Sequence, residues 1–169
     1  MLAAMETRPW TIHPHGAIEQ LEPNLWCVPG KMKNPPLDRV MTIAKLADGG
    51  VLIYSAVALD DAAMQQIEAI GPISVIVVPN GYHRLDASSY KARYPKARVL
   101  APKNARERIA KVVPVDGTLE ELSDPAVTLQ TVAGTRGVEA LMLVKSGDRT
   151  SAVFTDTIFN LPPLTGLAG

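Results

Sequence analysis

A run of apolar residues, Val75-Ile76-Val77-Val78, stops at Pro79 and gives way to Asn80-Gly81-Tyr82-His83-Arg84-Leu85-Asp86. A short continuous apolar run bounded by turn formers reads as a buried strand. The loop at the carboxyl end of a central strand is where open α/β folds place their chemistry. The segment therefore implies a buried strand with His83 and Asp86 displayed in the loop at its end. An imidazole and a carboxylate three residues apart can hold a metal, or serve as base and orienter.

The rest of the chain is organised around that strand. Leu25 to Val28 reads as a first strand closed by Pro29-Gly30, and Lys31 to Asp38 as a loop lying over a neighbouring pocket. Val40–Leu46 and Val51–Tyr54 are apolar strands joined across Asp48-Gly49-Gly50, a hairpin signal. A helix follows over Asp60–Ile70, with acids at its amino end and Met64, Ile67 and Ile70 on one face. Past the His83 loop come a short helix at Ser88–Tyr94, a strand at Arg98–Ala101 and a basic helix at Lys103–Lys111. A turn of helix at Leu119–Leu122 precedes strands at Val127–Val132, Ala140–Val144 and Ser151–Thr155, the last two joined through Ser146-Gly147-Asp148. Hairpins at both ends exclude a purely parallel sheet and predict a mixed one with helices beside it.

Composition narrows the function classes. The 169 residues, 47% apolar, suffice for one well-cored domain. Seventeen basic and seventeen acidic side chains cancel, which argues against a nucleic-acid partner. The basic residues from Lys91 to Lys111 read as a solvated face. One cysteine, Cys27, excludes a disulfide framework and any multi-thiolate metal centre, and following Trp26 it reads as a buried structural thiol. No apolar run is long enough for a membrane helix, and the first residues lack a leader pattern, so a cytoplasmic location is expected. Neither a dinucleotide fingerprint nor a phosphate loop occurs, and no serine stands in a nucleophile elbow. His13-Pro14-His15, in an arm expected to be irregular over residues 1–20, reads as an exposed loop rather than a metal chelate.

The order of elements resembles the metallo-β-lactamase-like superfamily over residues 21–160, and within it the small members of unknown function. The resemblance is carried by Leu25-Trp26-Cys27-Val28, the hairpin, Val77-Val78-Pro79-Asn80, Tyr94-Pro95-Lys96-Ala97-Arg98-Val99 and Phe154-Thr155-Asp156. It implies an α+β fold of the αββα kind, mixed sheets with flanking helices, here with a shortened second half and an extended tail over 161–169. Active members carry a His-x-His-x-Asp-His loop and one or two metals that activate water. Matched position by position, the first histidine falls on Gly81, the second on His83, the aspartate on Leu85 and the last histidine on Asp86. The later Gly-His-Thr matches Gly134-Thr135-Arg136, and the bridging aspartate matches Asp156.

These replacements remove the means for a binuclear hydrolase, because Leu85 offers neither lone pair nor proton and a second ion has almost no ligands. The expectation is a degenerate site without the ordinary hydrolase activity, no assigned catalytic residue and no cofactor. Tyr82, Arg84, Thr135 and Arg136 are then candidate ligand-binding residues for a small molecule or protein, with Arg84 or Arg136 balancing the surviving carboxylates. The alternative is a mononuclear hydrolase in which His83, Asp86 and Asp156 hold one divalent ion, Zn, Mn or Fe, with water in the open position. A structural or assembly role is the third reading. The shortened second half leaves an edge or apolar face to protect, so self-association, as a homodimer, is expected.

Overall fold

The computed structural model describes residues 8–32 and 38–158. Its larger sheet has seven strands in chain order: β1 (Glu19–Glu22), β2 (Leu25–Lys31), β3 (Asp38–Lys45), β4 (Val51–Tyr54), β5 (Ile73–Val77), β6 (Arg98–Ala101) and β7 (Gly117–Thr118). Pairing is antiparallel from β1 to β4 and parallel from β4 to β7. A second sheet, antiparallel throughout, is ordered β10 (Arg149–Val153), β9 (Ala140–Ser146), β8 (Val127–Thr131). The mixed pairing follows from the connections: short turns join β1 to β2, β3 to β4 and β9 to β10, whereas the parallel steps need longer crossovers, which here carry the helices.

Those helices are α1 (Asp61–Ile70), α2 (Ala87–Arg93) and the short α3 (Arg106–Ile109). All three pack on one face of the large sheet, where Ala63, Met64 and Ile67 of α1, Tyr90 of α2 and Ile109 of α3 meet Ile43, Ile53, Ile76 and Val99. The opposite face carries Leu52, Tyr54, Val75, Val77 and Leu100, which pack against Val127, Leu129, Met142 and Val144 of the second sheet. Both faces are thus covered, which is why β4 and β5 read as unbroken apolar runs. Each such buried aliphatic side chain contributes about 1.5–3 kcal/mol relative to exposure. Asp60 caps α1 by accepting the Ala63 amide at 2.8 Å, a contact typically worth about 1 kcal/mol.

Several expectations are corrected. β2 does not stop at Pro29-Gly30 but runs on to Lys31. The Pro29 carbonyl accepts Gly16 N–H at 2.8 Å, so that residue's amide position also faces away from β3 and proline removes no bond between the two. Gly30 follows because a Cβ there would lie 2.9 Å from Val57 Cγ1. The amino-terminal arm is not irregular throughout: β1 begins at Glu19, and His15 bridges Gly30. His15 Nε2 accepts the Asp60 amide at 3.2 Å, so it is engaged with the start of α1 rather than with His13. Cys27 is half-buried, not buried, and burial pushes its thiol up, with Glu19 adding to the effect. Lys103–Ala105 forms a 3-10 turn before α3, and the two-residue β7 has no counterpart in the sequence reading. The tail over 161–169, and most of the loop expected over Lys31 to Asp38, lie outside the described residues.

Candidate functional site

Four chain segments meet at one rim of the paired sheets. β4 ends at Tyr54 and turns through Ser55, whose φ of 58° lies in the left-handed region that ordinary side chains rarely enter. Its amide donates to Val77 O at 3.1 Å, so the turn is held against the end of β5. The His83 loop leaves β5, Glu139 stands just before β9, and Thr155 and Asp156 follow β10. Two long-range bonds bring these segments together: Ala140 N–H donates to Pro79 O at 2.9 Å, and Tyr54 O–H donates to Ala140 O at 2.8 Å. Burial, followed by the charge of Glu139, raises the Tyr54 phenol well above its ordinary value, so it remains a neutral donor.

Asn80 is the hub. Its Oδ1 accepts the amides of Tyr82 at 2.7 Å and His83 at 2.9 Å, an Asx-type closure that shapes the loop. Its Nδ2 donates to both Glu139 carboxylate oxygens and to Asp156 Oδ2, the last at 2.8 Å. An amide donor therefore stands between two carboxylates. Thr155 O–H donates to Glu139 Oε1 at 3.3 Å. Glu139 is only 6% exposed, and burial pushes its carboxyl above the usual glutamate range, with the Asp156 charge adding to the rise.

His83 is held at both ring nitrogens. Nε2 lies 3.0 Å from Asp156 Oδ1 and Nδ1 lies 2.9 Å from Ser55 Oγ. An ionised carboxylate can only accept, so Nε2 carries a proton and, in the neutral ring, Ser55 O–H donates to Nδ1. The order Ser55–His83–Asp156 has the connectivity of a nucleophile relay. Burial decides against that role: Ser55 is 2% exposed, so its oxygen has no open side for a substrate carbonyl. The hydroxyl braces the imidazole.

Asp86 is turned elsewhere. It occupies the position before α2 where an aspartate commonly caps, yet its side chain makes no cap bond. Instead Oδ2 takes a bond from Arg39 Nη2 at 2.8 Å and another from the Ala58 amide at 3.3 Å. Arg39 also donates to the Ala56 carbonyl. Of the three expected metal ligands, the structure thus joins His83 to Asp156 and commits Asp86 to Arg39. Among the described residues no group of three His, Cys, Asp or Glu side chains is gathered that could hold an ion. The donors present do not fit the one-ion site, which needs three protein ligands converging on one point.

The other candidates are also located. Tyr82 is 69% exposed, with the Arg108 guanidinium 4.1 Å above its ring. Arg84 Nη1 donates to the Arg108 carbonyl at 2.6 Å. Thr135 O–H donates to Val132 O at 2.7 Å, a local turn contact. Arg136 is exposed in the left-handed region at φ 56°, and its carbonyl accepts from Asn104. Neither Arg84 nor Arg136 balances a site carboxylate among the described ion pairs; Arg39 does that for Asp86. Sequence reasoning missed Arg39, Ser55, Asn80 and Glu139 as site residues. Only Glu139, an acid abutting the apolar Ala140–Val144 run, carried a local signal.

With that geometry in view, the comparisons with solved structures become decisive for the fold. The chain matches DIM-1 metallo-β-lactamase with a TM-score of 0.62 at 12% identity, over 79% of this chain and 67% of the enzyme. The chain has the metallo-β-lactamase fold. A metallo-β-lactamase from Hirschia baltica matches with a TM-score of 0.54 at 13% identity, over 75% of this chain and 66% of that one. A HARLDQ-motif mutant of a metallo-β-lactamase from Cronobacter sakazakii matches with a TM-score of 0.57 at 20% identity, over 81% of this chain and 63% of that one. The chain therefore spans about two thirds of the length of the structures it matches. No family model and no curated protein matches the sequence. At the rim that this fold builds here, no group of three metal-ligating side chains is gathered among the described residues.

Proposed function

We propose that this domain binds a small molecule or a protein through the remnant of the metal cleft, without turning over a substrate at a metal. One observation carries the reading: the carboxylates that would face an ion are engaged from within, Asp86 in an ion pair with Arg39 and Asp156 in hydrogen bonds from His83 and Asn80. Loss of the metal would otherwise leave uncompensated charge at the rim, which is costly in proportion to its burial. Arg-Leu-Asp of the HARLDQ motif recurs here as Arg84-Leu85-Asp86.

Tyr82, Arg84, Thr135 and Arg136 are the proposed contacts for the ligand. The test is chemical-shift mapping of a fragment library on metal-free protein, run beside turnover assays with ester, thioester and phosphodiester probes in Zn, Mn and Fe. Shifts centred on these residues without metal-dependent turnover are expected. Metal-dependent turnover abolished by both His83→Ala and Asp156→Ala would establish the mononuclear hydrolase instead.

A homodimer is proposed on separate grounds. β10 is an edge strand of the second sheet, and Leu141 and Leu143 of β9 are half-buried. Unpaired edges of this kind are normally covered. Sedimentation equilibrium should give twice the chain mass; a monomer at all concentrations would refute it. No described helix is long and apolar enough to cross a membrane, and a cytoplasmic location is proposed. A nucleic-acid partner is not proposed, because Lys91, Arg93 and Arg98 of the basic stretch pair with Asp116, Glu68 and Glu121.

A further inference from the structure

The outer side of the His83 loop borders a cleft of about 180 Å³ lined by Arg8, Gly81, Tyr82, Arg84, Leu85 and Arg108, together with Val112. Its lining contains three guanidinium groups and no acid. We infer that Arg84 and Arg108, with Arg8 at the same cleft, form a binding site for the phosphate group of a small organic phosphate monoester. The inference rests on the ligand-binding reading of this loop and names the chemistry of the ligand.

The arginines are arranged as a receptor would arrange them. Arg39, Arg93, Arg98 and Arg149 each pair with a carboxylate. Among the described residues, Arg84 and Arg108 have no such partner. Each is nonetheless held in place: Arg84 by its 2.6 Å bond to the Arg108 carbonyl, Arg108 by its guanidinium carbon lying 4.1 Å from the Tyr82 ring centre. A guanidinium held by an aromatic ring spends no N–H donor on a carboxylate, and its planar fork of donors suits the paired oxygens of a phosphate. Gly81 makes the arrangement possible, because a Cβ there would lie 2.5 Å from Arg108 Cδ. Any other residue would displace the arginine stem from the loop.

Size and charge define the ligand. Clefts for drug-sized molecules run from about 300 Å³ upward, so 180 Å³ suits one anionic group with the remainder projecting outward. Two or three guanidinium groups match a dianion better than a single carboxylate. The apolar walls of Tyr82, Leu85 and Val112 favour a phosphate carrying an organic substituent over the inorganic ion.

Isothermal titration of untagged, metal-free protein with phenyl phosphate, inorganic phosphate and benzoate tests this. Phenyl phosphate should bind with Kd below about 1 mM, inorganic phosphate more weakly and benzoate weakest. Arg84→Gln and Arg108→Gln should each weaken phenyl phosphate tenfold or more, whereas Arg98→Gln, which removes an equal charge elsewhere, should not. Tyr82→Leu, an exposed change that spares the fold, should weaken it severalfold by freeing Arg108. No saturable phosphate binding, or binding lost equally in Arg98→Gln, would overturn the inference and leave the metal-free ligand-binding reading standing. Phosphate binding that requires added metal and survives both arginine variants would overturn the two together.

Discussion

Replacing Asp86 with alanine separates the two accounts of this loop. If the carboxylate exists to neutralise Arg39, its removal strands a guanidinium whose side chain is 9% exposed, beside a carboxylate that was itself 13% exposed. Breaking a buried pair from one side typically costs about 3–5 kcal/mol. Arg39 retains the Ala56 carbonyl, so the lower end, about 3 kcal/mol, is expected. With a urea m-value of about 2 kcal/mol/M, the midpoint should fall by roughly 1.5 M. The double variant Arg39→Met/Asp86→Leu removes both charges and fills the space with apolar volume. It should return to within about 1 kcal/mol of the parent, because apolar replacements of buried pairs are often neutral. Urea unfolding followed by far-UV circular dichroism gives all the midpoints, and Arg39→Met alone completes the cycle. Additive single effects, with no recovery in the double variant, would refute the pairing argument.

Three further results are expected. Burial holds the Glu139 carboxyl above its ordinary value, so the folded protein binds the extra proton. Its contribution to stability is then complete below the unfolded glutamate value of about 4.3 and is lost as pH rises through the raised folded value. Glu139→Gln should flatten this decline between mild acid and neutral pH, and an unchanged profile of unfolding free energy against pH would contradict the assignment. Asn80→Asp replaces the bridging donor with a third carboxylate and should cost about 3 kcal/mol; urea midpoints equal to the parent would show that Asn80 Nδ2 is not the bridge. Ser55→Ala should leave fluorophosphonate labelling of the protein at background, as in the parent, while costing about 1 kcal/mol through the lost bond to His83; labelling of the parent at Ser55 would restore the relay reading.

Legibility in the sequence followed the range of the forces involved. β4 and β6 were found at their observed limits because apolar runs between turn formers report burial locally. Asp60 and the Gly147-Asp148 turn were legible for the same reason. β7 was not, since a two-residue strand has no period to detect. Pro29-Gly30 misled because the same residues that signal a turn also fit a strand where the proline's missing N–H faces away from β3. At the site, the rim location of His83 could be anticipated from the strand before it, and its proximity to Asp156 only from the family resemblance. The Arg39–Asp86 pair could not: the partners lie 47 residues apart, and local sequence made Asp86 look like a metal ligand or a helix cap. Asn80 and Glu139 are 59 apart, and an asparagine after a strand ordinarily signals only a turn.

The metal question remains the most direct test of a domain with this fold and a rim whose carboxylates are engaged from within. Elemental mass spectrometry on untagged protein, purified under metal-replete conditions and then desalted, measures the ion content per chain. The account predicts no ion approaching stoichiometry, and the same null value in His83→Ala and Asp156→Ala. An ion retained at one per chain in the parent and lost in both variants would contradict it.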